Sequence, residues 1–484
     1  MKPMLLRALA AATMTAVLGG CVSMAPHYQR PEAPVPAQFG NAGTGEAEPA
    51  LAMPAWREVF LEPRLQQVIA LALQNNRDLR VAVLQVEKER AQYRIQRAAL
   101  LPSVDASGSV TRSRVSDANS ETGVTQLTES DAVQVGISSW ELDLFGRIRS
   151  LKNEALQNWL ASAENQRAAR TSLVAEVATA WLALAADEQS LAFTQQTLDS
   201  QQQTLQRTEA RHAQGLASGL DLSQVQTSVE AARGALAKLQ TQQAQDRDAL
   251  QLLVGAPLDP ALLPTAQALD GSVALAPLPA NLPSSVLLQR PDVLSAEHAL
   301  QAANADIGAA RAAFFPTLAL TANYGHSSTA LSTLFSAGTR GWSFAPSITA
   351  PIFHAGALKA SLDASKIGKD IGIAQYEKAI QQAFSEVADA LATRDHLTAQ
   401  LDAQRALVAD SQRSYTLADA RYRTGLDGYL QSLDAQRSLY AAQQDLIALQ
   451  QQEAGNRGDV VQGAGRRRGR AVTRPPMWVC LPLR

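Results

Sequence analysis

The chain repeats itself once. Residues Asp78–Pro102 (DLRVAVLQVEKERAQYRIQRAALLP) recur as Asp292–Pro316 (DVLSAEHALQAANADIGAARAAFFP). Glu176-Val177-Ala178 returns as Glu386-Val387-Ala388, and the stretch that starts at Glu209 (EARHAQGLASGLDLSQVQTSVEAA) returns from Asp419 (DARYRTGLDGYLQSLDAQRSLYAA). The offset is roughly 210 residues each time, far longer than a solenoid period. One large unit is therefore duplicated, not arrayed, and two similar units in one chain favour pseudo-symmetric placement about a common axis.

Within each unit the hydrophobic period changes in the same order. Leu65–Leu101 carries apolar residues at helical spacing, and Pro102 stops it. After Pro102 the period becomes two: Val104, Ala106, Gly108 and Val110 alternate with Ser and Thr. A polar loop over Ser113–Ser130 and a second alternating run from Val133 to Trp140 complete a hairpin. The second unit repeats this with Leu318, Leu320, Ala322 and Tyr324, a loop over His326–Gly341 and a strand over Trp342–Ile352. Trp140, Tyr324 and Trp342 lie near strand ends, where interfacial aromatics belong. The stretches Gly146–Gln214, Asp221–Val254, Ala357–Thr424 and Gln431–Gln452 hold almost no Gly or Pro and read as helices. A helix of about 68 residues is roughly 100 Å long, several times a bilayer's thickness, so it must project from any membrane and be packed laterally by others.

Two hairpins give four strands, whereas the smallest single-chain membrane barrels have eight. Four strands with open edges cannot lie in lipid, because unpaired backbone groups find no water there. Either the strands lie in water, or several chains close one barrel; three chains would give twelve strands and a six-fold pseudo-symmetric ring of long helices.

The N-terminus reads as an export address. Lys2 and Arg7 precede a short apolar run, Ala8–Leu18, too short to span a bilayer. Leu18-Gly19-Gly20-Cys21 then matches the lipobox of bacterial lipoproteins, with Cys21 as the lipidated residue. Val22 is not the Asp that retains lipoproteins in the inner membrane, which points to the outer membrane. The second cysteine, Cys480, lies in an anomalous tail, so no disulfide framework is expected. No later segment has eighteen consecutive apolar residues. The formal net charge of -2 gives no field toward nucleic acid.

Enzyme chemistry finds no support. His27, His212, His298, His326, His354 and His396 are scattered without metal-ligand spacing. There is no GxSxG, P-loop or post-strand GxGxxG. No methionine stands between Pro54 and Pro476, which disfavours a Met-lined copper path.

Several motifs together resemble the outer-membrane efflux proteins of the TolC superfamily, of the lipoprotein OprM/NodT type. They are the lipobox, the doubled unit, Ala312–Thr317 (AAFFPT) before the third strand, Trp140–Gly146 (WELDLFG) after the second, and the Arg-Tyr-x-x-Gly and Leu-Asp-Ala-Gln signatures within Arg421–Gln436. The resemblance covers about Tyr28 to Glu453. It implies a mainly α fold with a membrane β-barrel: a trimeric 12-stranded β-barrel, four strands per chain, continued by a long α-helical barrel. It implies a passive exit duct in a tripartite pump. The partners would be a periplasmic adaptor (membrane fusion) protein and an inner-membrane RND transporter. No cofactor is implied beyond a covalent lipid on Cys21. The expected organisation is a signal peptide (1–20), a lipidated extended arm (21–64), a first repeat (65–262), a linker (263–281), a second repeat (282–454) and an atypical tail (455–484).

The resemblance also assigns roles at the helix–helix turns. Gly215, Leu216 and Gly219 of the first unit, and Gly425, Leu426 and Gly428 of the second, would be periplasmic tips that contact the adaptor; a glycine there also simply supplies backbone freedom. Asp434 would face the axis, so that three copies form an acidic ring partnered by Arg421 or Arg437. The alternative is a solvated helix carboxylate. Its counterpart in the first unit is Gln224, so such a ring belongs to the second unit alone. The tail departs from the family: one permissible codon set for GDVVQGAGRRR, read one base later, encodes VTLYKALGGG, a family-like ending. A frameshift near Gly458 is one reading of the tail, and a basic patch at Arg466–Arg470 is the other. Two rival functions remain on the sequence, a type I protein-secretion duct and a lipid-anchored coiled scaffold without a pore.

Overall fold

The structure, a computed structural model, describes residues 23–39, 56–116, 126–269 and 283–463. Its elements run α1 (Trp56–Val59), α2 (Pro63–Asn75), α3 (Arg77–Ala98), β1 (Asp105–Val115), β2 (Gln126–Leu142), α4 (Arg147–Ala213) and α5 (Gly219–Val254), followed by α6 (Pro291–Ala312), β3 (Thr317–Ser328), β4 (Arg340–Thr349), α7 (Ala357–Arg423) and α8 (Tyr429–Gly463). The order helix, hairpin, long helix, helix occurs twice, as the duplication requires. None of the described helices is long and apolar enough to cross a membrane.

The chain divides into two compact units that cut across the repeats. One comprises Met1–Glu32, Gln85–Ala163 and Ser295–Glu377; the other Ala33–Leu84, Glu164–Leu294 and Lys378–Arg484. Each unit takes the corresponding part of both repeats. The first gathers the strands and the second gathers most of the helical length.

In the first unit the four strands form one antiparallel sheet in the order β1-β2-β3-β4. Its two outer strands pair on one side only. The register puts Ala106, Val135 and Tyr324 in line with Trp342, and Leu318 opposite Ile348. One face therefore carries Val133, Val135, Tyr324, Trp342, Phe344 and Ile348, all exposed in the single chain. The other carries Ser107, Ser109, Gln134, Asn323, Thr321, Ser343 and Ser347 by the alternation of strand side chains. An irregularity between Ile137 and Trp140 shifts the alternation by one, with Ser139 at φ 54°. That bulge keeps Trp140 in line with Leu320 on the apolar side.

The strands outrun the sequence reading. The polar runs expected as loops extend β1 to Val115 and start β2 at Gln126, while β3 reaches Ser328 and β4 starts at Arg340. Ladder hydrogen bonds use backbone only, so pairing persists where both faces are polar and the period-two signal fades.

The second unit holds the main core. Leu65, Val68, Ile69 and Ala72 of α2 pack with Val177, Trp181 and Leu182 of α4, Leu250 and Val254 of α5, and Ile447 and Ala454 of α8. The Trp181 indole is fully buried and donates to the Leu262 carbonyl at 3.1 Å, which satisfies the one polar atom of its ring. The single helix expected over Leu65–Leu101 is broken at Asn76. Its backbone is extended (ψ 132°). Its Oδ1 accepts from Leu79 N at 2.8 Å and its Nδ2 donates to Leu253 O at 2.8 Å. A short amide that caps one helix and tethers another outcompetes continuous helix.

The helix expected to end at Gln452 continues to Gly463, and Asn456 donates to the Ala390 carbonyl at 3.0 Å. The remainder of the atypical tail, the signal segment with Cys21, and most of the 263–281 linker lie outside the described residues.

Candidate functional site: the paired helix turns

The two glycine-bearing turns are built alike. At the end of α4, Gly215 adopts φ 71°, its N–H donates to His212 O at 2.9 Å, and Leu216 N–H donates to Arg211 O at 2.8 Å. At the end of α7, Gly425 adopts φ 75°, with Gly425 N–H on Tyr422 O and Leu426 N–H on Arg421 O, both at 3.0 Å. Each is the 6→1, 5→2 pair of a Schellman stop, which needs a left-handed residue and therefore glycine. A Cβ built on Gly215, Gly219 or Gly425 meets nothing within 4 Å, and one on Gly428 meets only Gln431 Oε1 at 3.5 Å. The demand for glycine at Gly215 and Gly425 is thus conformational, since no neighbour in the chain crowds the turn.

The chain then leaves the turns differently. Ser218 and Asp221 form a capping box: Ser218 Oγ accepts from Asp221 N at 3.1 Å, and Asp221 Oδ2 accepts from Ser218 N at 3.3 Å. In the second turn Asp427 instead holds Arg421 through two bonds, Nε to Oδ2 at 2.5 Å and Nη2 to Oδ1 at 2.9 Å. The Arg421 guanidinium holds the Asp427 carboxyl below the usual carboxylate range. Within the chain Arg421 is therefore held by Asp427 and not by Asp434. A carboxylate six residues on, presented across the turn, closes a bidentate fork. Asp434 itself is exposed and makes no ion pair within the described residues, and neither does Arg437.

Four leucines stand out at the turns. Leu216, Leu220, Leu426 and Leu430 are each more than half exposed. Leu220 and Leu430 were not singled out from the sequence. The duplication could have found them, since they occupy equivalent places in the two repeats.

Behind the turns runs a set of hydroxyl contacts that the sequence did not reveal. Tyr422 meets Thr208 at 3.0 Å, Tyr415 meets Ser200 at 3.1 Å, and Tyr440 meets Thr194 at 2.9 Å. Thr208 also donates to the Thr204 carbonyl at 2.9 Å. Its single proton is thereby used, so Tyr422 must be the donor to it. Arg211 lies over the Tyr422 ring at 5.7 Å, and Tyr422 and Tyr429 lie ring to ring at 5.4 Å. Tyr429 packs with Val225 and Leu433, and burial pushes its hydroxyl pKa up. The three tyrosine hydroxyl contacts, the Arg211–Tyr422 contact and the Tyr429–Val225 packing each join a helix of the first repeat to a helix of the second. Among the described residues no group of three His, Cys, Asp or Glu could hold a metal ion.

The outer membrane efflux protein family matches residues 68–256 and 282–465, one match in each repeat. The chain belongs to this family. It is 49% identical over 443 residues to the probable efflux pump outer membrane protein TtgC of Pseudomonas putida, covering 91% of each chain. The outer membrane protein OprJ of Pseudomonas aeruginosa is 42% identical over 428 residues, covering 87% of this chain and 88% of that one. The structure of this chain is similar to the open-state MtrE outer membrane channel of Neisseria gonorrhoeae. The TM-score is 0.81 at 38% identity, over 92% of this chain and 98% of that one. The chain is thus an outer-membrane efflux protein with the fold of the family's channels, and the family is one of channel proteins, not enzymes.

Proposed function

We propose that three copies of the chain close a twelve-stranded barrel and serve as the passive exit duct of a tripartite RND-type efflux pump. The helices continue the barrel into the periplasm. The observation that carries this reading is the four-stranded sheet, with one apolar face, one polar face and unpaired outer edges. An apolar outer face suits lipid and a polar inner face suits a water-filled lumen. Edges that cannot be left bare in lipid require other strands. The name of TtgC places that relative in an efflux pump, which supports the same role here. Cys21 carries the lipid that holds the N-terminal arm to the outer membrane, and no cofactor or catalytic step is needed.

The turns are the adaptor-contact tips. Exposed leucines paired in both repeats form an apolar surface suited to a protein partner, around Gly215, Leu216, Gly219, Gly425, Leu426 and Gly428. Asp434, with Arg421 and Arg437 nearby in sequence, belongs to the periplasmic aperture. The test is reconstitution of the purified protein into planar bilayers with mass measurement in detergent. Trimers with discrete single-channel conductance are expected. A monodisperse monomer with an intact β signal would contradict the reading, and trimers that carry no current would favour the scaffold.

A further inference from the structure

The N-terminal arm is laid along α6 and ends in an open apolar groove. Arg311 Nη1 donates to the Met24 carbonyl at 3.1 Å, and Asn304 Nδ2 donates to the Pro26 carbonyl at 2.8 Å. Glu297 accepts from Tyr28 Oη at 3.2 Å and from Arg30 through two bonds, Nε at 2.9 Å and Nη2 at 2.6 Å. Burial, and then Glu297, push the Tyr28 hydroxyl up to about 12. Between these clamps the arm touches the helix itself. A Cβ on Gly308 would stand 2.8 Å from Ala25 N and 2.6 Å from Ser150 Oγ. The contacts fix direction: rising numbers on α6 meet falling numbers on the arm. The arm therefore runs antiparallel to α6 and is delivered, N-terminal end first, to the place where α6 gives way to β3.

There lies a groove of about 550 Å³ lined by the apolar Met24, Ala25, Phe314, Phe315 and Leu362, with Arg311 at its wall. Phe314 and Phe315 stay well exposed in the chain, and Phe315 is fixed by stacking on Phe145 at 4.7 Å between ring centroids. Ser23 also borders the groove, two residues from Cys21. Two residues span at most about 7 Å of extended chain.

We infer that this groove is a seat for a fatty acyl chain carried by Cys21, so that the lipid packs against the protein at the foot of the sheet. The inference rests on the lipidation of Cys21 in the function proposed above. The arm's own course selects the occupant: its clamped backbone runs toward apolar side chains that stay exposed among the described residues. An acyl chain is apolar along its length, and five of the groove's seven lining residues are apolar; the guanidinium of the sixth, Arg311, is turned to the Met24 carbonyl. The two backbone-carbonyl clamps accept any side chain at Met24 and Pro26. What the seat requires is the arm's register, set by Gly308 and Glu297.

The test uses the full-length protein in its membrane, with Phe314 replaced by photoreactive benzoylphenylalanine in cells fed labelled palmitate. After irradiation and purification, the peptide that contains position 314 is expected to carry the acylated Cys21 peptide. The adduct should be lost in Gly308→Val, which lifts the arm while leaving Cys21 acylated. Three results would overturn the seat: a phospholipid adduct at 314 that is unchanged in Gly308→Val, an adduct to a peptide of a second copy, or no adduct while Cys21 carries palmitate. Palmitate absent from Cys21 itself overturns the seat by a different route, because then the anchoring reading fails first.

Discussion

Replacement of Gly425 separates the backbone role of a tip from its docking role. Its φ of 75° lies in the left-handed region, where any L side chain costs about 1–2 kcal/mol. No atom lies within 4 Å of the Cβ position, so a Cβ meets no clash within the chain and the cost there is conformational. Gly425→Ala and Gly425→Trp should therefore share one modest stability loss and differ only in what they present to a partner. Gly219→Ala calibrates the series, since Gly219 also has open space but is not left-handed. The assays are trimer recovery in detergent, apparent melting temperature, drug susceptibility, and cross-linking to the adaptor. All three variants should assemble. Gly425→Ala should keep most export, and Gly425→Trp should lose export and adaptor cross-links. Equal export and equal cross-linking for Trp and Ala would refute docking at this turn. Loss of export in Ala to the extent seen in Trp would also refute it, because the backbone alone would then explain the phenotype.

Three further outcomes are expected. Asp434→Ala should lower resting cation conductance and weaken block by divalent cations in planar bilayers, because Arg421 is already held by Asp427 and leaves Asp434 unneutralised; wild-type conductance and block would place the carboxylate off the axis. Tyr422→Phe removes the donor to buried Thr208 and should cost about 1 kcal/mol, read as a lower apparent melting temperature, with Tyr415→Phe smaller because it leaves a less buried partner. Burial, and then Asp246 and Glu188, raise Asp187 to about 7; the folded form then holds more protons than the unfolded one between about pH 4 and 7, so stability falls as pH rises through that window, and Asp187→Asn should flatten the dependence by about 1 kcal/mol after allowance for screening of a part-exposed group.

Much of this architecture was legible because it is periodic or local. The two longest helices, α4 and α7, end within a few residues of their expected limits because Gly-Leu at Gly215 and Gly425 marks a Schellman stop in plain sequence. The four strands could be counted from alternation. What escaped depends on partners distant in the chain. Asn76 stops a helix because of Leu253, 177 residues away. Tyr415, Tyr422 and Tyr440 sit at helical spacings where an aromatic reads as core. Their value lies in hydroxyls aimed at Ser200, Thr208 and Thr194 on another helix. The arm was read as extended chain laid over something, but two of its bonds to α6 go through its own carbonyls at Met24 and Pro26, which leave no residue signature, and the rest go to Glu297, more than 260 residues away.

The duplication makes two scaffolds alike and two tips unlike. Both turns share the glycine stop and the exposed leucines, so each repeat can offer the same apolar contact. The closures behind them differ in kind. The first tip is fastened locally by Ser218 and Asp221, with backbone N–H groups as partners in a helix cap. The second is fastened by an exposed ion pair, Arg421–Asp427, which salt screens and which costs little to open. Tyr422 sits next to Arg421 on α7 and joins the second tip to α4 through Thr208. That hydroxyl contact is shared by the two turns, so what distinguishes them is the local closure, a backbone cap in the first and a screened ion pair in the second. The ion pair that closes the second turn and Asp434, where the first repeat has Gln224, thus both belong to the second repeat alone.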